Sequence, residues 1–112
     1  MNSKEKLEFI IDILKDKKAL DIKVIDITDV SILCDYFIIC TGTSKAHIRT
    51  LSDEVDEKTK DKGEKCASKE GYDSCDWVLL DFGDVVLNVF KADVREFYSL
   101  EKLWADGKIE ER

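Results

Sequence analysis

The spacing of apolar residues predicts two amphipathic helices in the first half of the chain. In the first, aliphatic side chains recur at the intervals of one helical face, at Leu7, Ile10, Ile11 and Leu14. Ser3 stands where a side-chain cap would begin this helix. In the second, a narrower aliphatic stripe runs through charged residues, at Ile48, Leu51 and Val55, and Gly63 ends it. We expect the second helix to lie on the surface and to cover a sheet with one edge.

Runs of β-branched and other apolar residues predict a sheet of five strands. The runs are residues 22–27, 34–40, 64–69, 77–80 and 85–90. The second run is apolar on both faces except at Asp35, which favours a position deep in the sheet. The third run is polar and contains lysines, as exposed edge strands often do. The last two runs are joined by a short connection that contains Gly83, which predicts an antiparallel hairpin.

The C-terminal segment predicts a third helix with a wide apolar face. This helix begins near Asp93, extends to about Trp104 and ends before Gly107. Its apolar arc is broader than one sheet contact needs, so part of it should be exposed or covered by a partner. The element order α-β-β-α-β-β-β-α predicts an α/β fold, with a small mixed β-sheet and helices packed on it. We interpret residues 1–112 as a single domain in which residues 105–112 form a flexible tail.

Composition and charge narrow the classes of function. The chain has 112 residues, of which 44% are hydrophobic and 38% charged, as is typical of one soluble globular domain. Its net charge of −7 disfavours a general nucleic-acid binder and favours a basic partner surface. No apolar run approaches the roughly 18–20 residues that span a bilayer. The segment 1–6 carries both signs of charge and resembles neither a secretory signal nor a transit peptide, so we expect a cytoplasmic protein with reduced cysteines.

The cysteines and the single histidine do not predict a metal site or another cofactor. Cys34 and Cys40 would be separated by roughly 20 Å along one strand, too far to share an ion. Cys66 and Cys75 have no CxxC partner, and His47 is the only histidine. Because a zinc site needs about four convergent ligands, we do not expect one, and we interpret Cys34 and Cys40 as small apolar side chains of the core. His47, on a charged helix, is interpreted as a solvated side chain.

The turn Gly42-Thr43-Ser44 has two interpretations. A small-residue turn between a strand and a helix can cradle an anion, and it is similar to the turn of nucleotidyltransferases. Those enzymes need an acidic pair on the following strand, which the run 64–69 lacks. An enzyme would have to use residues 42–45 with Asp81 and Asp84 as metal ligands. The simpler interpretation is that Thr43 or Ser44 caps the helix.

Several segments match, in their order and spacing, the motifs of a known family. They are residues 35–39 with 41–44, residues 70–71, residues 77–86 and residues 95–104. On these segments the chain resembles the ribosomal silencing factor family, also called RsfS or Iojap, from Asp21 to Trp104. The resemblance implies a nucleotidyltransferase-like topology without the catalytic carboxylates. It also implies a protein that binds the large ribosomal subunit through ribosomal protein L-fourteen. Such binding blocks the joining of the small subunit and slows translation when nutrients are scarce.

The resemblance also implies a partner surface, which would comprise Trp77, Asp81, Asn88, Tyr98, Leu100 and Glu101. Trp77 and Tyr98 would act as aromatic anchors, while Asp81 and Glu101 would pair with basic groups. Many relatives have histidine at position 88, and many have Arg-Gln where this chain has Ala46-His47. Organellar relatives act in large-subunit assembly, and crystallised members are often homodimers. Two alternatives stay open: a nucleotide-binding enzyme that uses the Gly42 turn, and a homodimeric adaptor whose apolar arc is the dimer seam.

Overall fold

A computed structural model describes residues 1–32, 34–98 and 108–112. In this part of the chain the helices are α1 (Ser3–Asp16), α2 (Lys45–Asp61) and α3 (Ala92–Tyr98). The strands are β1 (Leu20–Asp26), β2 (Tyr36–Gly42), β3 (Ser68–Glu70), β4 (Trp77–Asp81), β5 (Val85–Lys91) and β6 (Lys108–Glu111). No helix among the described residues is long and apolar enough to cross a membrane.

The strands form one mixed sheet in the order β3-β4-β5-β2-β1-β6. The central strands β2 and β5 pair in parallel, from Tyr36 with Val85 to Gly42 with Lys91. All other neighbouring strands pair antiparallel, including the β4–β5 hairpin. The predicted α/β class with a mixed sheet is therefore confirmed. Helices contact both faces of the two central strands, which explains why their residues are almost continuously apolar.

Helices α1 and α2 pack on the first face of the sheet and form the larger core. The core side chains come from both helices and from alternate positions of the strands, among them Leu7, Ile10, Ile38, Leu51, Leu80 and Leu87. Helix α1 is capped by Asn2 and not by Ser3 as expected. The Asn2 side chain accepts from the Glu5 N–H at 2.8 Å while the Glu5 carboxylate accepts from the Asn2 N–H, a reciprocal capping box. Helix α2 is capped by Ser44, which confirms the simpler interpretation of that turn.

The second face of the sheet, opposite the two long helices, carries a smaller core. Ile25, Ile27, Ile39 and Phe90 have no exposed surface on this face. Val94 of α3 packs against them, together with the partly buried Trp77. Helix α3 therefore lies on the side of the sheet away from α1 and α2. The predicted continuation of this helix to Trp104 falls on residues 99–107, outside the described residues.

The two edges of the sheet differ from the prediction. Strand β3 is an exposed edge, as expected, but it begins at Ser68 and not at residue 64. Residues 108–111, expected in a flexible tail, form β6 along β1. The Arg112 N–H donates to the Ile22 carbonyl at 2.8 Å, and its guanidinium forms an ion pair with Glu8 of α1. Strand β6 is thus held by backbone pairing and by charge, since its sequence has one apolar residue.

Candidate functional site

Strand β4 presents a row of partly exposed side chains on the second face. Trp77, Leu79 and Asp81 alternate with Val78 and Leu80, which are fully buried on the first face. The Trp77 indole stacks on Phe90 of β5, with 4.9 Å between the ring centroids and 25° between the planes. Two of the predicted partner residues, Trp77 and Asp81, therefore lie on one strand and one face.

Asn88 of β5 fixes the orientation of the Trp77 indole through a hydrogen bond. Its side chain has no exposed surface, and its Oδ1 accepts from the Trp77 Nε1–H at 2.9 Å. Its Nδ2 donates to the Ile38 carbonyl of β2 at 3.3 Å. The amide thus links the indole to the central strand pair and satisfies a buried donor and a buried acceptor. In this chain Asn88 cannot touch a partner directly, so its contribution to a partner surface would pass through Trp77.

The loop before β4 contains a glycine that the backbone geometry requires. Gly71 has a φ of +78°, and a Cβ there would lie 2.0 Å from the Trp77 carbonyl oxygen. The Cys75 N–H donates to the Gly71 carbonyl at 3.0 Å, which closes the loop. Sequence reasoning identified Gly71 as part of the motif at residues 70–71 but gave no reason for it. The close approach to the Trp77 backbone is that reason.

The hairpin turn after β4 is fixed by a partly buried ion pair. The Lys6 Nζ of α1 lies 2.7 Å from the Asp84 Oδ1 and 3.1 Å from a Glu64 carboxylate oxygen. Burial lowers the pKa of Lys6, but the hydrogen bonds with Asp84 and Glu64 outweigh burial, and the pKa is raised. In the same turn, the Asp81 Oδ1 accepts from the Gly83 N–H at 2.7 Å. Sequence reasoning missed Lys6, because its spacing is that of an exposed helical lysine.

Helix α3 is joined to the sheet by Arg95. Its Nη1 donates to the Asp21 carbonyl at 2.6 Å and to the Thr41 hydroxyl at 2.9 Å. Tyr98, a predicted partner residue, is the last residue of α3. The predicted residues Leu100 and Glu101 lie outside the described residues. Arg95 therefore attaches to the sheet the helix that ends at Tyr98.

His47 is not the solvated side chain that the charged helix suggested. Its Nδ1 accepts from the Thr43 N–H at 2.9 Å, and its Nε2 lies 2.8 Å from the Lys17 carbonyl. The first bond requires an unprotonated Nδ1, so the proton is on Nε2, which donates to Lys17. The ring thereby joins the end of α1 to the turn before α2. This tertiary contact has no signal in the local sequence.

The described residues do not bring together the side chains that the enzyme alternative requires, residues 42–45 with Asp81 and Asp84. On β5, Lys91 pairs with Gly42 while Val86 pairs with Asp81, so the Gly42 turn and the hairpin lie at opposite ends of the sheet. Asp84 is engaged by Lys6. No group of three or more side chains suited to a metal ion occurs among the described residues. Burial raises the pKa of the Cys40 thiol to about 12, as befits an apolar core side chain.

Comparison with known proteins gives one family. Residues 1–112 match the family described as ribosomal silencing factor during starvation, RsfS. A ribosomal silencing factor of Bacillus subtilis is 38% identical over 109 residues, which cover 97% of this chain and 92% of that protein. A mouse protein named for mitochondrial assembly of the ribosomal large subunit is 33% identical. The matched region covers 93% of this chain and 47% of the mouse protein.

Solved structures agree with this comparison. A crystal structure of a protein from Chromobacterium violaceum superimposes with a TM-score of 0.91 at 35% identity, covering 94% of this chain and 88% of that one. A protein from Bacillus halodurans gives a TM-score of 0.83 at 36% identity, covering 90% and 94%. The fold and the sequence therefore lead to the same group of relatives.

Proposed function

The chain belongs to the ribosomal silencing factor family, and from this premise we propose that it represses translation by binding the large ribosomal subunit. We propose ribosomal protein L-fourteen as the contact and the joining of the small subunit as the step that is blocked, under nutrient limitation. A role in large-subunit assembly is a second use of the same binding, favoured by the mouse relative's name. The cytoplasm is the proposed compartment.

The proposed contact is the second face of the sheet beside α3. What supports it is the way in which Trp77 is held, by Phe90 on one side and by Asn88 at its N–H. A partly exposed indole in a fixed orientation loses little conformational freedom on binding, and tryptophan is enriched among interface hot spots. The proposed contact residues are Trp77, Asp81, Tyr98, Leu100 and Glu101, with Asn88 acting through Trp77.

Charge favours a basic partner for this surface. The net charge is −7, and Asp81 lies on the same face as Trp77. Opposite charge on a basic ribosomal protein would speed the encounter and set the orientation of binding. The same negative charge disfavours non-specific contact with ribosomal RNA. Binding should therefore weaken as salt is raised.

Repression in this proposal is steric and involves no bond-making by the chain. A stable interface buries about 800 Å² per partner, and the chain has 6235 Å² of accessible surface. Most of the surface therefore stays outside such an interface. With extents of 35, 33 and 22 Å, the bound domain would project from the subunit and stand in the way of another subunit at that place. We further propose that the protein is a homodimer when it is not bound to the ribosome.

The test is binding and subunit joining with purified ribosomal subunits. The protein should sediment with large subunits and should slow joining, measured by light scattering when small subunits are added. Trp77→Ala should weaken binding about thirtyfold, as loss of a hot-spot anchor does. Trp77→Phe is the matched control, because it keeps an aromatic ring against Phe90 and should retain more binding. Tyr98→Ala tests the α3 side of the surface.

Two results would refute the proposal. One is unchanged sedimentation of both alanine variants, which would move the contact away from this face. The other is clear thermal stabilisation by magnesium with a nucleoside triphosphate, which would favour the enzyme alternative.

A further inference from the structure

The loop between β1 and β2, described at residues 27–32 and 34–35, exposes aliphatic side chains to solvent. Ile32 is fully exposed, and Val30 is 46% exposed. Apolar residues exposed singly are ordinary; these two lie two positions apart on one loop, and we call them together the exposed aliphatic patch. Neither side chain contributes buried area to the fold comparable with that of a core aliphatic. Their placement therefore calls for a reason outside the stability of the monomer.

Hydrogen bonds hold the first part of this loop, up to Ser31, and its end at Asp35. The N–H groups of Val30 and Ser31 both donate to the Ile27 carbonyl, at 3.0 and 2.9 Å. The Ile27 N–H donates to the Asp35 carbonyl at 2.9 Å, and the Ile27 side chain is fully buried in the second-face core. At the start of the loop, the Thr28 hydroxyl and N–H donate to Asp26 at 2.7 and 3.0 Å. These bonds anchor the two ends of the loop, between which Ile32 lies.

The loop is joined to the β4–β5 hairpin turn. The N–H groups of Asp35 and Tyr36 both donate to the Asp84 carbonyl, at 2.8 and 3.1 Å. Asp84 is itself fixed by Lys6. The loop and the hairpin turn, residues 81–84, therefore form one connected end of the molecule, which we call the loop end. This end includes Asp81, which belongs to the proposed ribosomal contact.

The loop end combines an apolar tip with negative charge. Carboxylates stand in the loop at Asp29 and Asp35 and in the hairpin turn at Asp81 and Asp84. Two copies of this end would repel one another, and an anionic membrane surface would repel it as well. A basic protein surface with an apolar depression complements it in both respects. The charge therefore selects one class of occupant for the exposed aliphatic patch.

We propose that Ile32 and Val30 form a second contact with the basic protein surface of the large ribosomal subunit, continuous with the contact made by Asp81. This inference rests on the proposed function and extends it from the sheet face to the loop end. Ile32 enters an apolar depression on the partner, while Asp29, Asp35 and Asp81 pair with lysine or arginine side chains. The contact at the loop end also fixes the rotation of the domain about Trp77, since two separated anchors define an orientation.

The test compares serine substitutions at matched exposed aliphatic residues. Ile32→Ser and Val30→Ser change the loop end. Leu20→Ser is the control, because Leu20 is also 46% exposed but lies at the start of β1, the opposite end of that strand from the loop. Dissociation constants for purified large subunits are measured by sedimentation. Melting temperatures and the oligomeric state of the free proteins are measured alongside.

Ile32→Ser should weaken large-subunit binding about tenfold, the loss expected when one aliphatic contact is removed. Its melting temperature should equal that of the wild type, and Leu20→Ser should bind normally. Normal binding by Ile32→Ser overturns the inference, and so does equal weakening of binding by Leu20→Ser. In either case, binding by the wild type leaves the proposed function standing. A change in the free oligomer without a change in subunit binding also overturns it, in favour of a contact between copies. Failure of the wild type to bind large subunits overturns both proposals.

Discussion

Replacing Gly71 with alanine tests how the backbone places Trp77. The substitution adds a single methyl group at a φ of +78°, where that group would lie 2.0 Å from the Trp77 carbonyl oxygen. Gly63 offers a matched control, since its φ is +77° and no atom lies within 4 Å of a Cβ built there. The two substitutions share the cost of a left-handed backbone and differ in the clash.

The expected magnitudes follow from those two terms. A left-handed conformation costs an L-residue roughly 1–2 kcal/mol, and overpacking typically costs about 1–3 kcal/mol. Gly63→Ala should therefore lower the free energy of unfolding by about 1–2 kcal/mol. Gly71→Ala should lower it by about 2–5 kcal/mol, because the start of β4 must move to relieve the contact.

Urea unfolding followed by circular dichroism measures both variants. The slope of the free energy against urea should stay equal to that of the wild type, so that midpoints report stability alone. Under conditions in which both variants are folded, Gly71→Ala should also bind large subunits more weakly than Gly63→Ala does. Equal destabilisation by the two substitutions would refute the reasoning, because the clash with the Trp77 carbonyl would then have no energetic cost.

Three further predictions concern buried groups. Asn88→Ala should lower the free energy of unfolding by about 1–3 kcal/mol, because it removes the hydrogen bonds that the Asn88 amide makes with the Trp77 N–H and the Ile38 carbonyl; an unchanged urea midpoint would contradict this. Lys6→Met should remove the ion pair with Asp84. The wild type should exceed this variant in free energy of unfolding by a constant amount below pH 10.5, the ordinary lysine pKa. That difference should decline as pH rises through the raised pKa of Lys6, where the folded protein loses the proton. Urea unfolding from pH 7 to 11 measures that difference, and a difference that grows with pH would give the wrong sign. Cys40, whose pKa is about 12, should resist alkylation by iodoacetamide at pH 8 until the protein unfolds; mass spectrometry of rapid labelling in the folded state would disprove its burial.

Periodicity was sufficient for most of the fold. Burial decides the structure of the helical face from Leu7 to Leu14 and of the apolar strands around Ile38 and Leu87. Buried residues recur at regular intervals in a helix or form apolar runs in a buried strand, and both patterns are visible in a sequence. Strand β6 was missed because Lys108, Glu110 and Glu111 give no apolar alternation. Its pairing with β1 depends on a distant part of the chain, which local pattern cannot show.

The sequence indicated candidate residues but not how the fold holds them. Trp77 and Asp81 lie on one face of β4, although the hairpin pattern predicted Asp81 in the turn. The burial of Asn88 could not be foreseen, since an asparagine in a strand gives no indication of the donor and acceptor that surround it. The ring of His47 likewise bonds to Lys17, a residue of another helix. Side-chain hydrogen bonds of this kind become visible only when the elements are packed together.

The central parallel pair has a consequence for how the chain acquires its structure. Strand β2 can be completed only when β5 is available, and α2, β3 and β4 all lie between them in the sequence. Contacts between such distant segments raise contact order and slow folding relative to a chain of local hairpins. A nascent chain that ends before Val85 would have neither its middle strand pair nor the support beneath Trp77. The proposed binding surface should therefore form late in synthesis.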